Sequence, residues 1–137
     1  MKIKSASDIT NLIKKLEKKF DWRVYNFGRH TKTNTSTRGF PDVFMFHVLT
    51  GYQLLIEIKY GRDELKKNQL QFWGDYYPVM RKKFTGGGVI TEKNAVDFFE
   101  LAVLTEANAL ENFERIKELL QRELEKAIKK VEGRYSA

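Results

Sequence analysis

The sequence predicts an α/β fold in which a central β-hairpin is covered by helices on both faces. Two adjoining runs, 41–48 and 52–60, are rich in β-branched and aromatic residues and apolar on both alternating faces, the pattern of strands buried on both sides. Thr50-Gly51 between them marks the hairpin turn. Segments with helical spacing lie before and after this pair. The 137 residues suffice for one domain with a substantial core.

In chain order, residues 5–20 read as an amphipathic helix, with Ile9, Leu12, Ile13, Leu16 and Phe20 on one stripe. Ser5 or Ser7 caps its start and Asp8 sits in the first turn. Residues 22–27 alternate and carry aromatics, so they read as a strand. Residues 30–39, HTKTNTSTRG, form a polar loop ending in glycine. After the hairpin, 64–80 is a predicted helix with Leu65, Gln69, Phe72, Trp73 and Tyr76 on one stripe, and Pro78 disturbs its end. Gly86-Gly87-Gly88 leads into a short strand; its glycines suit a tight turn or a close backbone approach. Residues 94–104 read as a helix or a helix–strand mixture. Residues 106–132 form a long helix with Leu110, Phe113, Ile116, Leu120, Leu124, Ile128 and Val131 on its stripe and Gly133 as its stop. Opposite charges four residues apart cover the rest of that helix. The expected organisation is a body over 1–104 and an appended helix over 105–137 for packing or dimerisation.

Apolar residues make up 42% and charged residues 31%, a soluble globular balance. No apolar run reaches the roughly 18 residues of a membrane span, and MKIKSASDIT lacks a signal peptide's apolar stretch. The absence of cysteine excludes disulfides, thiolate metal sites and cysteine nucleophiles. A cytoplasmic protein with no membrane partner is expected. Two histidines, His30 and His47, argue against a multi-histidine zinc site. The net charge of +7 falls entirely on residues 1–104, which hold 18 Lys/Arg against 11 Asp/Glu, while 105–137 hold 7 of each. A basic body points to a polyanionic partner, nucleic acid being the commonest.

Inside the hairpin, three charges stand out: Asp42, Glu57 and Lys59. With a two-residue turn at Thr50-Gly51, Asp42 lies across from Lys59 and Phe44 across from Glu57. Strand alternation puts Phe44, Phe46, Leu55, Glu57 and Lys59 on one face and Val43, Met45, His47, Leu54, Ile56 and Ile58 on the other. Unpaired charges near a core are costly. Either Asp42 and Lys59 form an ion pair with Glu57 reaching solvent, or Asp42 and Glu57 hold a divalent cation.

These residues carry a resemblance. Gly39-Phe40-Pro41-Asp42, 14 intervening residues, then Glu57-Ile58-Lys59 resembles the signature of the PD-(D/E)XK nucleases. Leu65-Lys66-Lys67-Asn68-Gln69 resembles the motif that follows it in the VRR-NUC branch, and archaeal Holliday-junction resolvases have a similar layout. The resemblance covers roughly residues 6–104. It implies a restriction-endonuclease-like core, a central mixed β-sheet flanked by helices, with a long C-terminal helix outside it. It implies metal ligands at Asp42, Glu57 and the Ile58 backbone carbonyl, with Mg2+ or Mn2+ as cofactor. Lys59 is then the catalytic lysine and Gln69 the supporting glutamine. It also implies an acidic residue on the first helix, for which Glu17 is the only glutamate; a solvated helix position is the alternative.

Arg29, Lys32 and Arg38 around the Thr-rich loop, and Arg62, Lys66 and Lys67 beyond Lys59, suit phosphate contacts. The implied activity is metal-dependent hydrolysis of DNA phosphodiester bonds, selective for branched or flap structures. The alternatives are a Holliday-junction resolvase acting as a symmetric homodimer through the C-terminal helix, and a non-catalytic nucleic-acid-binding module on the same fold.

Overall fold

The computed structural model describes residues 2–28 and 38–135. Helix α1 (Ala6–Lys19) opens the fold, followed by strands β1 (Trp22–Asn26), β2 (Val43–His47) and β3 (Gln53–Ile58). Helix α2 (Lys67–Tyr76), strand β4 (Thr85–Ile90), helix α3 (Ala95–Leu101) and helix α4 (Ala109–Val131) complete it. The four strands form one mixed sheet in the order β1-β2-β3-β4. β1–β2 and β2–β3 are antiparallel, and β3–β4 is parallel.

Ser5 is the residue that caps α1; its Oγ accepts the Asp8 N–H at 3.2 Å. The stripe Ile9, Leu12, Ile13 and Leu16 is buried against the sheet face of Val43, Met45, Leu54, Ile56 and Ile90. Trp22 enters this core and donates its Nε1–H to the Ala102 carbonyl at 2.8 Å, which ties the start of β1 to the end of α3. The other sheet face packs Leu55 and Val89 with Leu65, Trp73 and Met80, so α2 lies over it. The face assignment expected from alternation is the one observed.

The hairpin register differs from the expected one by two residues. Val43 pairs with Ile56, and Phe46 pairs with Gln53. His47 N–H bonds the Tyr52 carbonyl at 2.8 Å, so the turn spans residues 48–51. Inside the turn Tyr52 N–H donates to Thr50 Oγ1 at 3.3 Å, while on the β1 side Val48 N–H bonds the Asp21 carbonyl at 2.9 Å. Gly51 closes the longer turn at φ +79° and donates to the His47 carbonyl at 2.8 Å. A slip of two keeps every side chain on its own face, whereas a slip of one would have reversed them all.

β4 is an edge strand, and α4 covers it. Gly88 sits at φ +149° against the Leu120 carbonyl, and a Cβ on Gly87 would lie 2.6 Å from the Leu55 carbonyl. The triple glycine is thus a close-approach surface for a helix and a neighbouring strand. Phe113, Ile116 and Leu120 of α4 join the α1-side core, while Leu124 and Val131 join the α2-side core. The helix set apart as appended therefore shares both cores, and its apolar stripe is covered within the chain except at Leu110, which is 53% exposed. Its C-terminal end is tied to the segment before α2: Arg134 Nη1 donates to Glu64 Oε1 at 2.7 Å, which holds the Glu64 carboxyl below its usual pKa range. Residues 64–66 are not helical, with Lys66 extended, and α2 begins at Lys67, three residues later than its periodicity suggested.

Two outcomes follow for stability. Gly88→Ala places a Cβ against the Leu120 backbone at a φ that side chains rarely adopt, and is expected to lower the unfolding free energy by about 3 kcal/mol in urea titrations. His47 is buried, and desolvation lowers its pKa below 6.5. The unfolded chain then binds the extra proton more readily, so stability falls as pH drops below 6.5. Urea titrations at about pH 7.5 and 5.5 should show that fall, and His47→Gln should reduce it.

Candidate active site

Three chain segments end at one place. β3 finishes with Glu57 and Ile58, β2 begins just after Asp42, and β1 runs out into Phe27 and Gly28. Continuing the β2–β3 register one step past Val43–Ile56 sets Asp42 across from Glu57, not from Lys59 as the shorter turn implied. The two carboxylates are thus direct cross-strand neighbours on the α2 face. A cleft of about 650 Å³ opens over them. Asp42, Glu57, Ile58, Lys59, Asp63, Lys66 and Gln69 line it, with Ala6, Ser7 and Thr10 of α1 and Asn26 and Gly28 of the β1 end.

Each charged group is fixed by a named contact. Asp42 Oδ2 accepts the Ile58 N–H at 2.8 Å. A strand residue directs its N–H and C=O to the same side, so the Ile58 carbonyl also faces the Asp42 side. Glu57 and Lys59 are almost wholly buried, at 1% and 6% exposure. Gln69 joins them: its Nε2 donates to Glu57 Oε2 at 3.1 Å and its Oε1 accepts from Lys59 Nζ at 3.0 Å. The same Oε1 accepts the Lys66 N–H at 2.9 Å, satisfying one free donor at the start of α2. Lys59 Nζ lies 3.8 Å from Glu57 Oε2 and 3.7 Å from Asp63 Oδ2. The ammonium therefore sits among an amide and two carboxylates, which compensates the desolvation of its burial.

Gly39 allows this closure. It lies at φ +86° against the Asn68 carbonyl, so the chain entering β2 passes directly over the first turn of α2. Phe40 then packs edge-on to Phe27 at 5.4 Å and to Phe72 at 5.5 Å between ring centroids. Asp42 and Gln69 reach one cleft because these two segments touch.

Other expected residues fall elsewhere. Glu17 does not line the cleft; it accepts the Val24 N–H at 2.8 Å and covers a backbone donor of the edge strand β1. The part of α1 at the cleft is its N-terminal end, about 10 Å along the helix from Glu17 to Thr10. Arg38 and Arg62 are exposed. Lys67 lines a separate shallow groove with Leu70, Ile128 and Val131. Arg29 and Lys32, with most of the Thr-rich loop, lie outside the described residues. Asp63, Thr10 and Asn26 join the lining unexpectedly, as does Ser7, which the sequence offers only as a helix cap. Asp63 is readable in hindsight, four residues after Lys59; the α1 hydroxyls carry no sequence signal, because only packing brings them to the cleft.

Asp42, Glu57 and Asp63 set three carboxylates against the two ammonium groups of Lys59 and Lys66 in the cleft lining, within a chain of net charge +7. The described lining thus carries one net negative formal charge in a basic chain. Its oxygen donors, two opposed carboxylates and a strand carbonyl, are the kind that hard divalent cations take. Among the described residues no group of three or more His, Cys, Asp or Glu side chains is placed to hold a metal ion, so any such ion would rest on two carboxylates, main-chain oxygen and water.

In comparison with known proteins, no family model, curated protein or solved structure matches this chain. Among the described residues no helix is long and apolar enough to cross a membrane.

Gln69 is the link whose loss is simplest to read. Gln69→Ala removes hydrogen bonds to two buried charges and is expected to lower the unfolding free energy by about 2 kcal/mol in urea titrations. A loss below about 0.5 kcal/mol would show that Glu57 and Lys59 are held without it.

Proposed function

We propose that this chain is a metal-dependent nuclease that hydrolyses DNA phosphodiester bonds, with DNA structure rather than base sequence as its selector. The single observation that carries the reading is the convergence of Asp42, Glu57, the Ile58 carbonyl side, Lys59 and Gln69 in one cleft. A purely structural cluster would not need an open cavity above it. The mixed four-stranded sheet with helices on both faces agrees with the PD-(D/E)XK resemblance of Pro41-Asp42 and Glu57-Ile58-Lys59.

Asp42 and Glu57 would hold Mg2+ or Mn2+ together with the Ile58 carbonyl. When bound, the ion supplies a lowered pKa for water and neutralises charge on a phosphate oxygen. The chain's own residues do the rest. Lys59 keeps its ammonium at the cleft, where it orients the attacking water and offsets negative charge growing on the phosphate. Gln69 positions Lys59 and Glu57 relative to one another, so neither needs to reorganise during the reaction. Ser7 and Thr10 on the facing wall present hydroxyls of a kind that bonds phosphate. Arg38 and Lys66 are exposed and add positive charge along the path of a DNA backbone.

The test is incubation with four-way-junction, flap and linear duplex DNA, in Mg2+ or Mn2+ and in EDTA. Cleavage is expected only with the metal, faster on branched than on linear DNA. Asp42→Asn and Lys59→Ala should each slow it by at least about 100-fold while retaining DNA binding. Binding without cleavage in every metal would instead assign a non-catalytic binding module.

A further inference from the structure

The α2 face of the sheet is only half covered. Trp73 closes over Gly87 at the β4 side. Toward β1 the face opens. Tyr25 is 49% exposed, and Phe44 and Phe46 are half-buried. These three rings form one cluster, each within 6.2 Å of the other two. Tyr25 lies 6.1 Å from Phe44 at 25° and 6.2 Å from Phe46 at 18°, and Phe44 lies 6.0 Å from Phe46 at 40°. Exposed Arg23 pairs with Phe46 in the β1–β2 ladder, so it shares this face.

The patch is continuous with the cleft. Asp42, Phe44 and Phe46 alternate along the same edge of β2, so Phe44 is the next side chain on that face after the carboxylate. Successive side chains on one strand face stand about 6.8 Å apart. That is roughly twice the 3.4 Å per-nucleotide spacing of a duplex strand. The rings therefore match a strand drawn out of duplex geometry, whose separated bases each meet a ring.

We propose that Tyr25, Phe44 and Phe46 form a stacking platform for an unpaired nucleic-acid strand leading into the cleft. The occupant follows from the chemistry. Flat aromatic faces accept any base without reading its sequence. The adjoining Arg23 and the net charge of +7 favour a polyanion over an apolar peptide. The proposal deepens the nuclease reading and rests on it for the direction of the strand, since a flap or a junction arm supplies unpaired bases beside the scissile phosphate.

The experiment reads binding and not cleavage, so it stands apart from the nuclease test. Fluorescence anisotropy of the full chain in EDTA is measured with a fluorescein-labelled oligothymidylate and with a labelled duplex. Tyr25 is exposed, so Tyr25→Ala should melt close to the wild type. It is expected to weaken single-strand binding by about tenfold, with duplex binding unchanged. Tyr25→Trp should retain or improve it. Equal single-strand affinity in wild type and Tyr25→Ala would overturn the platform, as would equal losses for strand and duplex. A concentration-dependent dimer that Tyr25→Ala disperses, read by sedimentation, would give the patch to a second copy of the chain and overturn the proposal as well. If Tyr25→Ala weakens strand binding but no metal gives cleavage, the platform stands and the nuclease reading falls.

Discussion

The alternation along β3 is the constraint on which the rest of the molecule hangs. β3 is paired on both sides, to β2 and to β4. Leu54, Ile56 and Ile58 turn toward α1, and Leu55, Glu57 and Lys59 turn toward α2. The apolar residues on both faces fix the strand so firmly that the two charges at its end have no freedom to rotate away. Burial of Glu57 and Lys59 would be a heavy cost on its own. Gln69 offsets it by bonding both, and Asp63 adds a second carboxylate beside the ammonium. The fold thus holds a polar cluster in a low-exposure site, where electrostatic effects are stronger than in bulk water.

Around that strand, the glycines decide how closely the other elements approach. Gly39 lets the chain before β2 cross α2, and this crossing brings Asp42 into reach of Ile58. Gly88 lets α4 lie directly on β4, so one edge of the sheet is covered. At the other edge, Glu17 occupies the Val24 N–H. A residue that looked like a candidate ligand serves to blunt a strand edge. The arrangement leaves an open cleft at the end of β3 and, on the sheet face beside it, the partly exposed rings of Tyr25, Phe44 and Phe46.

Much of this was legible in residue order. The α1 stripe, the strands and the long α4 stripe follow from local periodicity, while the α1 cap stayed open between Ser5 and Ser7. The sharing of one face by Glu57 and Lys59 follows from the period of two. Gln69 was legible only through the resemblance of Leu65-Lys66-Lys67-Asn68-Gln69 to a family motif. The turn length was not, because Thr50-Gly51 marks a turn without fixing how many residues it spans; here the ladder closes at His47 and Tyr52 and leaves 48–51 outside it. The status of α4 was not legible either: an apolar stripe tells that a helix face is covered, and not by what.

By itself the sequence determined which side chains share a sheet face, because alternation survives any even error in register. It determined a buried hairpin that carries charge at one end. Only the tertiary structure decided that Asp42 stands opposite Glu57, that Lys59 turns to Gln69 and Asp63, and that Ser7 and Thr10 reach the cleft while Glu17 does not. Those outcomes depend on where whole elements come to rest against one another. That is set in part by close packing at Gly39 and Gly88, contacts between parts of the chain that no local pattern connects.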